Sequence, residues 1–547
     1  MPSLPDHPVL DHLKKQAKAL LAAYRRGDAE AFDRFRSSLP AVAGRDDPAI
    51  AALGLRLHDA QSCLAREYGF QSFAELAAFV GAQRAATADR ATVVAEWLRL
   101  VYPGDIGGGR SRASPTAAAR LLDARPDLTG GDASLACAVG DVAAIRSAAE
   151  RDPAWVDRPG GPLALPPLVA VAHSAFVRHP DYHAQMVSAA RLLIDLGADP
   201  NQFVWSRWPP ASVEQPSTET RLSALYGAAG QACDPELTKI LLNAGADPND
   251  NESLYHSLER PEVTRLLLEA GARIGGSNAN YRVFDLDNLE SLRLLIEHGK
   301  REQPPLDWSR PLLFAIRRGR GAAHVEALLD AGAQPTVRSR DGASAHGLAL
   351  RYGLTDVAEL LRKAAGSETL SEDERFVAAC SAADEAGARR IQAGRPDLPS
   401  SFSPERLRML PEMAANGRDA AVRVMVRLGW PIETKGGDWD ASALNLAVFR
   451  GDAQLTRFLL AHGADWRARH GMGDNVCGTL SWASSNEEGG DWVACAEALL
   501  AHGMPKGEPG DVEGVVVVEG QPRGFPEEVA SVLAGSSTDP ARTDHPG

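Results

Sequence analysis

A short phrase recurs along the chain: a Leu-Leu pair, or a close variant of it, followed after two or three residues by a glycine. The clearest copies are RLLIDLGADPN at 191–201, ILLNAGADPN at 240–249 and FLLAHGADWR at 458–467. The glycines of the series are Gly197, Gly245, Gly271, Gly299, Gly332, Gly366, Gly394, Gly429, Gly463 and Gly503. Their spacings scatter around a period near 33, between 26 and 48 residues. Such a period predicts stacked supersecondary units rather than one compact core.

The residues of one unit predict two helices and a turn. Leu-Leu is the apolar face at the end of the second helix, and the glycine just beyond it takes a left-handed conformation without a Cβ penalty. Asp-Pro-Asn then favours a turn, because Pro fixes φ and Asn bonds to nearby backbone. In 441–467, Ser442 is placed to cap the first helix. Leu444, Ala447 and Val448 follow at helical spacing.

This pattern resembles the ankyrin repeat. In DGASAHGLALRYGLTDVAELL (341–361), the positions that match the family's pattern are Asp341, Gly342, Ser344, Ala349, Gly353, Val357, Leu360 and Leu361. The family's Thr-Pro-Leu-His box is degenerate here, for example Ser442-Ala443-Leu444-Asn445. The resemblance implies an all-α fold, an ankyrin-type α-solenoid of stacked helix pairs. A generic antiparallel helical solenoid is the alternative.

The segments predicted along the chain are an N-terminal small helical bundle at 1–85, a linker and helix at 86–115, a degenerate ankyrin array at 116–505, and a C-terminal capping segment with a disordered tail at 506–547. The bundle resembles the helical leader of some bacterial ankyrin arrays, on LxxQAKxLL and AREYGFxSFxEL. We expect it to cap the first repeat. A DNA-reading helix-turn-helix is the alternative, although residues 1–100 carry only 13 Lys and Arg against 12 Asp and Glu. The units after Gly245 and Gly271 are short, so we expect bare loops there instead of hairpins.

Composition limits the classes of partner. A net charge of −14 disfavours binding to phosphate backbones, so no nucleic-acid partner is expected. The six cysteines form no CxxC pair, which is typical of a reducing compartment. No signal peptide and no apolar run of membrane-helix length is seen, so we expect a cytoplasmic monomer with no membrane contact.

Two clusters could carry chemistry. GDIGGGRS at 104–111 has the spacing of a phosphate-binding loop, with Arg110 where Lys is expected and Ser111 where a magnesium ligand would lie. A predicted helix rather than a strand precedes it, so we interpret it as a flexible glycine linker. His173, His179 and His183 could supply metal ligands, but a Pro-Asp turn separates the last two, and a solvated loop is the simpler interpretation.

The resemblance implies a non-catalytic scaffold for protein–protein interaction, with no cofactor and a protein partner that the sequence does not identify. No GxSxG or HExxH motif is present. The alternative is an enzyme or toxin-related regulator in which the array is a targeting arm and the N-terminal domain carries activity.

The interval from Gly197 to Gly245 is the longest of the series, and its extra residues fall at 200–220. In an ankyrin unit that position is the finger that projects from the concave side. The candidate partner-binding residues are Phe203, Trp205, Arg207, Trp208 and Tyr226. Aromatic residues and Arg are enriched at interface hot spots. The alternative is that both Trp residues fold back onto the inner helices, over Tyr226.

Overall fold

A computed structural model of the chain describes residues 4–5, 8–40, 42–85, 89–109, 112–366, 369–487, 489–510 and 514–535. The polar tail from 536 onward, predicted to be disordered, lies outside the described residues. The chain forms two compact units, Met1–Leu306 and Asp307–Gly547. About 57% of the residues are helical. The all-α class is therefore confirmed.

Within the described residues, the first unit contains eighteen α-helices, three short 3-10 helices, two strands and one π-turn. Apart from the 3-10 helices, they are α1 Leu10–Arg25, α2 Ala29–Ser38, α3 Asp47–Ala51, α4 Leu57–Glu67, α5 Phe73–Ala85, α6 Arg90–Val101, α7 Gly104–Gly107, α8 Pro115–Ala124, α9 Ala133–Val139, α10 Val142–Arg151, α11 Pro167–Ala172, α12 His183–Asp195, β1 Phe203–Trp205, β2 Arg221–Ser223, α13 Ala224–Tyr226, the π-turn Gly227–Gln231, α14 Pro235–Asn243, α15 Ser253–Ser257, α16 Pro261–Glu269, α17 Ala279–Arg282 and α18 Leu289–Gly299.

The N-terminal bundle packs onto the first repeat. Helix α1 buries Leu13, Ala17, Leu20 and Leu21 on one face. Helix α5 lies against α8. The Thr116 N–H donates to a carboxylate oxygen of Glu75 over 3.2 Å. The bundle is thus in direct contact with the first helix of the array.

Beyond the bundle, helices of the first unit form two rows. One row runs through α9, α11, α13 and α15 to α17, and the other through α10, α12, α14 and α16 to α18. From α9 to α16, each helix contacts its neighbours in its row and its partner in the pair. This nearest-neighbour packing is that of a helix-pair solenoid.

The second unit repeats this plan. Its elements are α19 Ser309–Arg317, α20 Ala322–Asp330, α21 Ala345–Arg351, α22 Thr355–Ala365, α23 Glu372–Ser381, α24 Glu385–Gly394, α25 Pro404–Leu407, α26 Met409–Ala415, α27 Asp419–Arg427, β3 Lys435–Gly436, β4 Ala441–Ser442, α28 Ala443–Phe449, α29 Ala453–Ala461, α30 Val476–Asn486, α31 Trp492–Ala501, β5 Glu508–Pro509, β6 Val515–Val518, β7 Gln521–Gly524 and α32 Glu527–Leu533. Helices α26, α28 and α30 pack in one row, and α27, α29 and α31 in the other.

The turn glycines follow the prediction with two exceptions. Gly197, Gly245 and Gly463 take φ values of +93°, +96° and +93° just after their helices. Gly299 and Gly394 instead form the last residue of α18 and α24, where the helix continues through the glycine. Among the described residues no strand follows Gly245 or Gly271 before the next helix. The expected loss of those hairpins is confirmed.

One element lies outside the helix pairs and the hairpin fingers. Strands β5, β6 and β7 form an antiparallel sheet in that order at the C-terminal end of the second unit. Val516 and Val518 alternate with more exposed valines and are buried against the last helices. The alternation gives this sheet one buried face, which covers the end of the repeat row. Of the described helices, none is long and apolar enough to cross a membrane.

Candidate functional site

The extra residues after Gly197 form a hairpin and a loop, which we call the aromatic finger (residues 200–223). β1 pairs antiparallel with β2, with Phe203 opposite Ser223 and Trp205 opposite Arg221. Side chains alternate along a strand, so Phe203, Trp205 and Arg221 share one face of the hairpin. The other face carries Val204 and Leu222, which are buried. One face of the hairpin therefore packs against the array, and the other face, which we call the presented face, is directed toward solvent.

The presented face is aromatic and cationic. Phe203 is 37% exposed and Trp208 in the following loop is 49% exposed, while Trp205 is half-buried. The rings of Phe203 and Trp205 meet edge to face with centroids 5.7 Å apart. The Arg221 guanidinium lies 4.7 Å and 5.1 Å from the two ring centroids, within cation–π range.

Arg207 lies beneath the finger rather than on its presented face. Its guanidinium is buried and donates to the carbonyl oxygens of Ile106 (2.8 Å) and Leu163 (2.7 Å). Its backbone N–H donates to the carbonyl oxygen of Asp105 over 2.8 Å. Burial lowers the pKa of this guanidinium. Arg207 thus anchors the finger to α7.

Tyr226 is also buried, at the end of α13. Its ring packs edge-on against His173 and tilted against His256, with centroid distances of 5.8 and 5.2 Å. The five predicted residues therefore do not form one surface. Phe203, Trp205 and Trp208 belong to the presented face, and Arg207 and Tyr226 belong to its support.

In the described part of the glycine-rich segment, residues 104–109, two backbone amides are used within a helix. Residues 104–107 form helix α7, in which the N–H groups of Gly107 and Gly108 donate to the carbonyl oxygens of Pro103 and Gly104. A Cβ added to Gly108 would lie 3.2 Å from Val213 of the finger. Arg110 and Ser111 lie outside the described residues. Instead of the expected flexible linker, residues 104–107 are helical and support the finger.

The three histidines of 173–183 are each engaged separately. His183 Nε2 lies 2.7 Å from Asp234, and His179 accepts from the Asp181 N–H. His173 is buried between Gln231 and the carbonyl oxygen of Ser223. Among the described residues, no group of three His, Cys, Asp or Glu side chains is arranged to hold a metal.

A second exposed aromatic face lies in the second unit and was missed in the sequence. Trp482, 44% exposed, stacks on Phe449 with ring centroids 5.5 Å apart, and Phe449 contacts Trp439 at the same distance. Met472, 79% exposed, lies in the loop between α29 and α30. Phe449 and Trp482 each lie seven residues after a capping side chain, Ser442 and Asn475. Their separation equals one repeat, which is the signal that could have identified this face.

No protein-family model matches the chain, and no curated protein matches it. Among solved structures, the chain is similar to the ankyrin repeat domain of Bcl-3, described as a unique member of the IkappaB protein family, at 18% identity and a TM-score of 0.22. That match covers 47% of this chain and 97% of the other. It is also similar to the human ASB11 ankyrin repeat domain, at 20% identity and a TM-score of 0.19, covering 52% and 99% of the two chains. The ankyrin-type architecture is carried by the chain's own paired helices, left-handed glycines and hairpins.

Proposed function

We propose that this chain is a non-catalytic scaffold that binds a partner protein through the concave face of its repeat array, with the aromatic finger as its principal contact. The coarser role, a protein-interaction repeat scaffold, is the one that ankyrin-type arrays serve. Stacked repeats present a long surface whose exposed residues are free to vary toward a partner, because only neighbouring repeats contact one another.

The observation that supports this proposal is an exposed aromatic face on an anchored hairpin. Phe203 and Trp208 expose large apolar surfaces although the adjacent Arg207 is buried. An ordered loop loses less conformational entropy on binding than a mobile loop. Aromatic side chains next to an Arg such as Arg221 have the composition of an interface hot spot. The finger is therefore pre-organised for a partner with an apolar pocket.

The test is affinity capture from the native cell lysate with the intact chain and the variants Phe203→Ala and Trp208→Ala, followed by quantitative mass spectrometry. We expect a partner whose capture falls at least roughly tenfold in each variant, as the loss of a hot spot of about 2 kcal/mol requires. The melting temperature should change little, because neither side chain is buried. Direct titration of the purified partner then measures the Kd.

Trp482→Ala is the matched control, since it removes the same residue type at nearly the same exposure. Capture that persists in this variant and fails in Trp208→Ala assigns the contact to the finger. Capture that fails only in Trp482→Ala moves the contact to the second aromatic face. Full capture by Phe203→Ala and Trp208→Ala contradicts the proposal.

A further inference from the structure

A chain of buried polar groups links the support of the finger to the helix rows of the first unit. The amide nitrogen of Gln231 donates to Asp105 Oδ2 over 2.6 Å, and the amide oxygen lies 2.8 Å from His173 Nδ1. The other ring nitrogen, His173 Nε2, lies 2.8 Å from the carbonyl oxygen of Ser223, at the base of the hairpin. Three distant segments, α7, α11 and the π-turn, thus meet through one imidazole and one amide.

Every contact among Asp105, Gln231, His173 and the Ser223 carbonyl oxygen pairs one donor with one acceptor only when the group holds one extra proton. In the amide orientation described above, both ring nitrogens of His173 face oxygen acceptors, so both must carry hydrogen. His173 is then an imidazolium cation, and Asp105 is a carboxylate. If the Gln231 amide is turned over, its NH₂ donates to neutral His173 and its oxygen must accept a proton from a protonated Asp105. Each arrangement holds the same single proton. Without it, one of the short contacts becomes two acceptors facing each other, which is repulsive.

Burial determines which of the two residues, Asp105 or His173, holds this proton. Burial raises the pKa of the Asp105 carboxyl. Burial lowers the pKa of His173. Both pKa changes favour a neutral His173 beside a protonated, neutral Asp105.

Other titratable groups near Asp105, Gln231 and His173 lie on the elements that pack against these three residues. Asp250 accepts from Ser223 Oγ over 2.5 Å and favours a charged His173, while His256 of α15 favours a charged Asp105 and lies 3.3 Å from Glu252. Burial raises the pKa of the Tyr226 hydroxyl. The charged residues of α14, Glu236 and Lys239, are exposed to solvent.

The surroundings prevent these contacts from relaxing sideways. A Cβ added to Gly227 would lie 2.7 Å from the His173 ring, so the backbone of the π-turn already touches the imidazole. A Cβ added to Gly230 would lie 2.4 Å from the Tyr226 ring. An acceptor–acceptor contact here is therefore relieved by moving a whole segment, and α7 is the shortest of the three.

We propose that Asp105, Gln231 and His173 form a single-proton lock, and that loss of this proton releases α7 and with it the aromatic finger. The connection is direct, because the backbone oxygens of Asp105 and Ile106 accept from the N–H and the guanidinium of Arg207. The finger is ordered at lower pH and released as pH rises through the apparent pKa of the lock. The lock concerns the conformation of the finger alone and is measured without a partner, so it fails or holds independently of the proposed binding function.

The test is amide hydrogen exchange of the intact chain between pH 5.5 and 9, with rates in 203–223 corrected for the intrinsic effect of hydroxide. We expect corrected exchange to rise by up to about tenfold per pH unit above the apparent pKa, as release coupled to one proton requires. Asp105→Asn replaces the protonated carboxyl by an amide of the same shape that donates to the turned Gln231. It should keep 203–223 protected at every pH.

Two further variants complete the experiment. Gln231→Leu removes the amide that joins Asp105 to His173 and should give fast exchange in 203–223 at every pH. This variant decides the outcome if Asp105→Asn does not fold. His183→Gln removes the contact between His183 and Asp234, which lies outside the lock, and should retain the pH profile of the unaltered chain. Exchange in the unaltered chain that does not depend on pH, or the same pH profile in Asp105→Asn or Gln231→Leu, overturns the lock.

Discussion

At the residue scale, asparagine side chains join consecutive units of the first array. Asn201 Oδ1 accepts from the Asp247 N–H over 2.8 Å, and its Nδ2 donates to the Gly245 carbonyl oxygen over 3.3 Å. Asn249 repeats both bonds one unit later, with the Arg273 N–H (2.9 Å) and the Gly271 carbonyl oxygen. These backbone groups lie beyond helix ends and have no intrahelical partner. The Asn side chain of Asp-Pro-Asn therefore joins one unit to the next.

Replacing Asn201 by Ala removes both bonds to the next unit. We expect a loss of about 1 kcal/mol in the free energy of unfolding, since each exposed neutral hydrogen bond contributes modestly. Urea unfolding followed by circular dichroism measures it. Asn201→Asp keeps the acceptor for the Asp247 N–H and loses the donor, so its stability should lie between the two. An alanine variant as stable as the unaltered chain would show that water replaces these bonds at no cost.

The residue scale also shows how far the sequence predicts the candidate site. The interval after Gly197 located the finger, and composition identified Phe203 and Trp208, which the structure leaves exposed. The sequence could not separate Arg207 from them, because its acceptors lie on Ile106 and Leu163, far away in the chain. Polar contacts over such separations depend on how α7 packs, and no local pattern encodes that.

At the element scale, the π-turn Gly227–Gln231 replaces the regular continuation of α13. The Ala232 N–H donates to the Gly227 carbonyl oxygen, which adds one residue to the turn and brings Gln231 to His173. π-turns are rare and occur frequently at functional sites. Periodicity predicts a helix at this position and cannot reveal the extra residue, because the cause is the close approach of His173 and Tyr226 to two glycines.

Gly227→Ala tests this close approach. The added Cβ would meet the His173 ring at 2.7 Å and the backbone of Ala172 at 2.8 Å, so α11 and the π-turn must separate. We expect a loss of about 1–3 kcal/mol in the free energy of unfolding, typical of overpacking. Gly81→Ala is the control: it lies in α5 with open space around its Cβ position and should stabilise by about 0.5–1 kcal/mol. Equal melting temperatures for the two variants would contradict the packing argument.

Helix pairs were predictable from sequence because each carries its own signals, and the C-terminal sheet was not. Leu-Leu, a capping Ser and a following glycine all lie within one unit, so a local pattern specifies it. The run Val515–Val518 has strand composition, but its pairing with β5 and β7 depends on the last helices that bury its inner face. Tertiary burial decides such short strands.

At the scale of the whole molecule, the packing of rows makes stability a property of neighbouring units rather than of one core. After Gly245, the row that begins at α9 continues through two short helices, α15 of five residues and α17 of four. Neither unit has a hairpin. Short helices form few backbone hydrogen bonds, and in a linear array a weak unit is supported only by the two beside it.

We therefore expect residues 250–285 to exchange their amide hydrogens faster than the rest of the first array. Helices α11 and α12, at 167–195 of the same compact unit, are the internal reference, because α12 alone has thirteen residues. A local opening cheaper by about 1.4 kcal/mol gives a rate roughly tenfold higher in 250–285. Hydrogen exchange by mass spectrometry at constant pH measures both segments in one experiment. Uniform rates across 167–300 would mean that the first array opens as one cooperative block, and that helix length does not set its weakest joint.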